Sequence, residues 1–270
     1  MNAMTAPLQA DLPLYDERRP ELKLRPLKAW RHFRELLKNK ENTEEVFHIF
    51  ESLPWRNLKP TALAFLKSER GQTLRAREVR LPLILDDHPR LRAMPEGSVA
   101  HAYCDFMERE GLTAQGLVDE FDKFAADKPK FDDQFIWYLN RMRDVHDLLH
   151  VLTGYGRDAL GEACVLAFTY SQQPSPAHLF IGYMAGLNMK KQVKSDAPVL
   201  KAVREGQKLG KACPRLCEQS ILDLLPMPLE EARRKLNITR PVHYHAAHDA
   251  WRALGVDPYD LLGQNAKKAA

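Results

Sequence analysis

The sequence predicts an all-α protein, and three of its features support that fold class. Apolar residues recur at every third or fourth position in most segments, as where Trp30, Phe33 and Leu36 share one helical face. Residues typical of helix ends separate these segments, and Gly154 is one predicted C-terminal stop. Strand-like alternation of apolar and polar residues is nearly absent. The chain also lacks a glycine-rich nucleotide-binding motif and an obvious internal repeat.

The helical pattern predicts a series of segments and three regions of the chain. The predicted helices are 27–37, 43–53, 61–71, 98–111, 113–126, 131–153, 158–173, 177–189, 199–209, 213–225 and one that starts at 230. Residues 77–100 are predicted to be a loop with short turns, because they are rich in proline. Residues 1–22 are predicted to be an N-terminal tail, 23–240 a single helical domain and 241–270 a C-terminal extension.

Composition and charge narrow the function classes. The 270 residues include 40 basic and 36 acidic side chains, which gives a net charge of +4. No basic stripe accompanies this mild charge, so nucleic-acid binding is not expected. No apolar stretch reaches membrane-spanning length, and residues 1–14 show no signal pattern. The four cysteines form no C-x-x-C pair, which favours free thiols in a reducing compartment. We expect a cytoplasmic protein, in peripheral contact with a membrane.

A candidate metal site lies in the segment from residue 146 to residue 162. His146 and His150 are four residues apart, so they project about 40° apart on one helical face. Asp147 lies about 60° from His150 on the same helix. Glu162 follows a reversal at Gly154, near the start of the next helix, where it can face this patch. The predicted site therefore lies between two adjacent helices.

The donor set indicates which ions such a site would hold. Two imidazole nitrogens and two carboxylate oxygens suit zinc, iron, manganese or cobalt. The alternative is a surface helix with a simple Asp–His hydrogen bond. Val145, Leu148 and Leu149 make that alternative less favourable, because a helix that is apolar nearly all round is buried. Buried His and Asp side chains need partners, and a metal ion supplies one.

Three known site types share part of this pattern. In H-E-x-x-H zinc proteases the second position is glutamate, whereas here it is Asp147. Phosphohydrolases of the HD type share the His-Asp pair, and they are a weaker alternative because they also need a further upstream His and a distant Asp. Ferritin-like di-iron proteins need two E-x-x-H motifs, which the chain lacks.

Several other residues have two open interpretations. Arg143 lies four residues before Asp147 and could bind a substrate carboxylate or pair with Asp147; Arg141 is predicted to be structural. The segment 177–189, rich in small residues, fits a lipid tail or an ordinary core helix. His243, His245 and His248 could form a second metal cluster or be solvated or locally hydrogen-bonded histidines. Cys213 and Cys217 are interpreted as core thiols at a helix start. The basic run 231–235 could contact acidic lipid head groups or form a solvated helix face.

The motif also carries a family resemblance. The run His146-Asp147-x-x-His150, eleven residues and then Glu162 resembles the H-D-x-x-H-x11-E signature of the fourth coenzyme Q (ubiquinone) biosynthesis protein family. The upstream segments 94–107 and 132–147 are also similar to that family, and the resemblance covers roughly residues 28–237. Tryptophans expected after Lys211 are missing, and the tail after Thr239 looks additional.

The resemblance implies a helical ubiquinone biosynthesis protein with one divalent ion, usually zinc, on His146, Asp147, His150 and Glu162. It implies loss of the C1 carboxyl from a polyprenylated 4-hydroxybenzoate. For that chemistry the candidate catalytic residues are Arg143, which could orient the carboxylate, and Asp147 or Glu162, either of which could carry a proton if it is a loose ligand. Zinc suits a redox-neutral lyase, and iron would permit oxidative decarboxylation. The alternative is a non-catalytic scaffold that binds lipid. The implied partners are the prenylated aromatic lipid, other biosynthetic proteins, an inner-membrane surface and a second copy in a homodimer.

Overall fold

The computed structural model describes residues 12–39 and 42–261, and these residues form helices joined by short connections. No strand occurs in this described part, which confirms the all-α prediction. The α-helices are α1 (Pro26–Leu36), α2 (Thr43–Ser52), α3 (Leu58–Lys67), α4 (Glu69–Arg77), α5 (Leu81–Leu85), α6 (His88–Arg92), α7 (Val99–Glu110), α8 (Ala114–Phe124), α9 (Gln134–Asp144), α10 (His146–Thr153), α11 (Ala159–Gln172), α12 (Pro176–Gln192), α13 (Val199–Ala212), α14 (Ile221–Leu224), α15 (Leu229–Lys235) and α16 (Val242–Ala253).

Helix α11 is at the centre of the packing and lies against α12 and α13. Glycines allow this close approach, since a methyl group at Gly206 would reach within 2.5 Å of the Cys164 carbonyl oxygen. A methyl group at Gly182 would likewise lie 2.9 Å from the carbonyl oxygen of Ala163. The small residues of segment 177–189 therefore serve helix packing, as the core-helix interpretation predicted.

The segment predicted as one helix over 131–153 is two helices, and that prediction was wrong. α9 ends at Asp144 and α10 begins at His146, because Val145 adopts φ −86° and ψ 1°. Gly154 then ends α10 with φ +77°, as predicted. His146 and His150 still share α10, so their common face survives the break.

Three other predictions of secondary structure were wrong. Residues 61–71, predicted as one helix, are divided between α3 and α4 at Ser68, which is extended (φ −72°, ψ 152°) and caps α4. Residues 213–225 contain only a 3-10 turn (Leu216–Glu218) and α14, instead of one helix. Residues 77–100 contain the short helices α5 and α6, each with a proline in its first turn. Proline is well accommodated there, because the first helical N–H groups have no partner within the helix.

The two chain ends of the described part pack onto the helical body. Asp133 caps α9 and also binds the guanidinium group of Arg19 at 2.7 Å. The backbone N–H of Gln134 donates to the backbone carbonyl of Pro13 at 2.9 Å. At the other end, α16 packs against α13 and α11, and Trp251 is fully buried. Residues 1–11 of the predicted tail and 262–270 of the predicted extension lie outside the described residues.

No helix in the described ranges is both long and apolar enough to cross a lipid bilayer.

Candidate metal centre

Three of the four predicted ligands come together between α10 and α11. The imidazoles of His146 and His150 lie one turn apart on α10, with ring centroids separated by 5.1 Å. Glu162 enters from the first turn of α11, and its Oε2 lies 3.7 Å from His146 Nε2 and 3.5 Å from His150 Nε2. The three ligand atoms all lie within 4.8 Å of one another. These three side chains are a group that could hold a metal ion.

The imidazole of His150 is oriented for a ligand on its Nε2 atom. Its Nδ1 bonds the backbone carbonyl oxygen of Tyr155 at 3.1 Å, and the ring stacks on Phe106 at 5.4 Å between centroids. Because a carbonyl only accepts, Nδ1 carries a proton and donates it, and this leaves Nε2 facing Glu162. Nε2 is buried and has no hydrogen-bond partner. Metal-binding histidines commonly show this pattern, with the second nitrogen held by a backbone carbonyl.

Charge in the centre favours a cation between the three side chains. Burial alone would raise the pKa of Glu162, but attraction by His150 and His146 holds it well below its usual value. Burial likewise opposes protonation of His150, yet the Glu162 charge raises its pKa. A divalent ion bound at this point would supply the positive charge that the carboxylate attracts. The residues present therefore fit a divalent metal ion.

Asp147 and Arg143 lie differently from the three side chains above. Asp147 is half-buried, and its carboxylate does not join the group of closely spaced ligand atoms in the described structure, although its charge acts on His150. Arg143 pairs with Asp144 at 2.8 Å, instead of with Asp147, and lies over the ring of Phe121. The predicted roles of Asp147 as ligand and of Arg143 as carboxylate partner stay predictions.

Arg141 is structural, as predicted. Its buried guanidinium pairs with buried Glu78 at 2.7 Å and donates to the carbonyls of Cys217 and Gln219. Arg233, from the basic run 231–235, donates to the carbonyls of Leu152 and Val151 at the end of α10. This part of the basic run therefore stabilises the ligand helix.

The C-terminal histidines and the cysteines follow the structural interpretations. His248 bonds the buried Asp158 at 3.0 Å, and the His243–His245–His248 set does not form a group of closely spaced ligand atoms in residues 12–39 and 42–261. Burial raises the pKa of Cys213 to about 12 and that of Cys217 to about 11. All four cysteines are free and buried.

A second group of possible ligands lies on α6 and α7. His88, Cys104 and Glu108 bring ligand atoms within 4.8 Å of one another. Glu108, however, pairs with Arg92 at 2.8 Å, and burial raises the pKa of the Cys104 thiol. A guanidinium that is directly hydrogen-bonded to the Glu108 carboxylate and a protonated thiol both disfavour a cation there.

Sequence reasoning missed several residues around the centre. Arg157 Nε lies 3.7 Å from Glu162 Oε1, and Phe106 and Tyr155 flank His150. A cavity of about 310 Å³ reaches His150 and is lined by the rings of Phe106, Tyr155 and Tyr244. Phe106 and Tyr244 are distant in sequence from the motif, and a backbone carbonyl has no side-chain signature. The sequence did offer one sign of these contacts, because Arg157 and Asp158 directly precede the helix that carries Glu162.

Comparison with known proteins identifies the family. The model of the family "Coenzyme Q (ubiquinone) biosynthesis protein Coq4" matches residues 37–242, which is most of the chain. The chain belongs to the Coq4 family. This confirms the resemblance seen in the metal motif, and it makes the protein a Coq4-family ubiquinone biosynthesis protein.

Curated Coq4 relatives match over part of their length. The mitochondrial ubiquinone biosynthesis protein COQ4 homolog of Bos taurus is 24% identical over 186 residues, which cover 69% of this chain and 67% of the relative. The homolog of Danio rerio is 28% identical and is covered over 60% of its length, against 63% of this chain. The chain thus spans about three-fifths to two-thirds of these relatives.

A solved structure shares the Coq4 fold. A crystallised protein from Nostoc punctiforme PCC 73102, described as a candidate ubiquinone biosynthesis protein, superposes with a TM-score of 0.52. It is 18% identical and covers 79% of this chain and 98% of its own. At this identity the likeness supports the helical fold alone.

Proposed function

We propose that this Coq4-family protein binds one divalent metal ion on His146, Asp147, His150 and Glu162 and removes the C1 carboxyl group of a polyprenylated 4-hydroxybenzoate. The observation that carries the metal assignment is the unpartnered, buried Nε2 of His150, held toward Glu162 by the Tyr155 carbonyl. Zinc is the preferred ion for this set, and iron or manganese would also fit it.

The reaction needs few protein groups. The bond between C1 and the carboxylate carbon breaks, its electron pair stays on C1, and a proton is added there as CO2 leaves. A bound metal ion would supply Lewis-acid stabilisation of negative charge on substrate oxygen. Asp147 or Glu162, whichever leaves the ion when substrate binds, is proposed to give C1 its proton and to regain one from water. Arg143 is the proposed partner of the substrate carboxylate, as expected from the sequence, and Arg157 is a second cation near the centre, with its Nε 3.7 Å from Glu162 Oε1.

The aromatic cavity is proposed to hold the ring of the substrate. Its volume of about 310 Å³ exceeds that of a single benzoate head group, and the rings of Phe106 and Tyr155 line it. Of the four proposed ligands, His150 alone lies in the wall of this cavity, so the substrate ring is proposed to approach the centre past the His150 side chain. The prenyl tail would leave the cavity through its open side.

The direct experiment measures CO2 release from a prenylated 4-hydroxybenzoate by metal-loaded protein. The expected result is turnover by the wild type and loss of turnover in Glu162→Gln and Asp147→Ala. Analysis of the product separates the two chemistries, since hydrogen at C1 indicates simple decarboxylation and a hydroxyl group indicates an oxygen-dependent reaction. Absence of CO2 release with zinc, iron and manganese would contradict the lyase proposal.

A second candidate function, a membrane-associated scaffold, is favoured by the surface around α1. Four large apolar side chains are exposed there: Leu22 (53%), Leu24 (52%), Leu27 (88%) and Trp30 (44%). Basic residues are interleaved with them: Lys23, Arg25, Lys28 and Arg31. Exposed apolar residues among cations are typical of surfaces that bind anionic membranes.

Vesicle co-sedimentation tests this surface. The full-length protein should bind vesicles that contain anionic lipid, and Leu27→Glu should weaken that binding. Leu83→Glu is the matched control, because Leu83 is also exposed (61%) but lies on α5. Equal binding by both variants would contradict the assignment of this surface.

A further inference from the structure

Helix α16 contacts the start of α11, through the buried carboxylate of Asp158, and the loop that joins α10 to α11. Asp158 is fully buried and begins α11, where its Oδ1 accepts the N–H groups of Leu160 and Gly161, both at 3.1 Å. Tyr244 of α16 donates its hydroxyl to Asp158 Oδ2 at 2.5 Å. His248, one turn later on α16, bonds Asp158 Oδ1 at 3.0 Å.

The same tyrosine holds the loop that orients His150. The Tyr244 hydroxyl accepts the backbone N–H of Gly156 at 3.0 Å, and its ring packs edge-on against Tyr155 at 5.2 Å. The carbonyl of Tyr155 is the acceptor for His150 Nδ1. A displacement of Tyr244 would therefore move the group that orients one proposed ligand.

The position of Glu162 also depends on the Asp158 carboxylate, because that carboxylate caps the first turn of α11, where Glu162 lies. Its backbone N–H donates to the carbonyl of Asp158 at 3.0 Å, and it follows directly after Gly161. The loop and the helix start are packed tightly, because a methyl group at Gly161 would overlap the carbonyl of Gly156. Asp158 thus connects the position of Glu162 to that of the His150 loop.

We infer that Tyr244 and His248 are positioning residues for the metal centre, acting through Asp158 on His150 and Glu162. Both lie beyond residue 242, where the match to the Coq4 family model ends. The C-terminal helix is thus part of the metal centre in this protein, although it supplies no ligand. The inference rests on the proposed metal site.

Binding of Co²⁺ alone, without substrate, tests the inference in the full-length protein. Tyr244→Phe deletes one oxygen atom, and it should weaken Co²⁺ affinity about 10- to 100-fold, the usual cost of losing an outer-shell partner. The visible absorption spectrum of bound Co²⁺ should also change, because it reports coordination geometry. His248→Leu should act similarly, whereas His248→Gln should recover part of the affinity, since its amide can donate to Asp158.

Tyr183→Phe is the matched control. Its hydroxyl bonds Gln207 between α12 and α13 at 3.1 Å, so it loses one comparable hydrogen bond elsewhere. It should keep the wild-type Co²⁺ affinity and spectrum. Circular dichroism without metal shows whether each variant is folded before titration.

Glu162→Gln serves as the reference that separates the two proposals. If it binds Co²⁺ as the wild type does, the metal site and the proposed function both fail. If it loses affinity while Tyr244→Phe and His248→Leu keep the wild-type affinity and spectrum, the positioning inference alone is overturned.

Discussion

His150 and Glu162 come from different helices, and their Nε2 and Oε2 atoms lie 3.5 Å apart. The pair is held at both ends, since the Tyr155 carbonyl orients His150 and the Asp158 cap starts the helix that carries Glu162. The centre is therefore preorganised, and its behaviour can be predicted from these contacts.

Removal of a ligand should abolish tight metal binding. Glu162→Gln and His150→Gln should each lower metal affinity by at least about 100-fold, which is more than an outer-shell loss costs. Metal content after dialysis, measured by elemental analysis, checks this. Glu108→Gln is the control in the other ligand group and should keep the wild-type content. A drop in that variant alone would place the ion at His88 and Cys104 instead.

Removal of one partner from the buried ion pair between Arg141 and Glu78 should destabilise the protein strongly. Glu78→Gln leaves the guanidinium group buried without its counter-charge, so it should lower the free energy of unfolding by about 3–5 kcal/mol. Urea denaturation measures the change. Asp223→Asn breaks the exposed pair with Arg77 and should cost less than about 1 kcal/mol. Equal losses of unfolding free energy in Glu78→Gln and Asp223→Asn would show that burial does not determine the cost of breaking these ion pairs.

His178 should make stability depend on pH below neutrality. Burial lowers the pKa of its imidazole from 6.5 to about 3, so folded His178 stays neutral while the unfolded chain binds a proton. Stability present above pH 6.5 is therefore lost as the pH falls from 6.5 towards 3, by at most about 1.4 kcal/mol per unit. His178→Phe removes the titrating group, and its unfolding free energy should fall less steeply over this range. Parallel curves for the two proteins would contradict the prediction.

The close packing of α13 on α11 should not tolerate a side chain at Gly206. A methyl group there would meet the backbone of Cys164, which cannot move as a side chain can. Gly206→Ala should cost about 1–3 kcal/mol, the usual penalty for overpacking. Thermal unfolding measures it. Gly116→Ala, beside a movable Thr113 side chain on α8, is the control and should be nearly neutral.

Much of the fold was predictable because helical periodicity and end signals are local. Gly154 and Gly111 end α10 and α7 with positive φ, as residues without a side chain can. The break at Val145 was not predictable in this way. No glycine or proline marks it, and apolar residues continue on both sides of it.

The candidate site was predictable only where spacing decides geometry. His146 and His150 share a face through the helical repeat, and Glu162 came from the family signature. Tyr244 lies 86 residues from Asp158 in sequence, so their contact depends on tertiary packing that no local pattern encodes. Arg143 could reach the carboxylate of either Asp144 or Asp147 along the chain, and in the folded structure it pairs with Asp144.

The most direct test of the proposed metal centre is an anomalous scattering map from crystals of the full-length protein prepared with zinc. We expect one strong peak between α10 and α11, with the Nε2 atoms of His146 and His150 and a carboxylate oxygen of Glu162 about 2.0–2.2 Å away. The position of Asp147 relative to that peak would show whether it is the fourth ligand. A map with no peak at this position, or with the peak at His88, Cys104 and Glu108, would contradict the proposed centre.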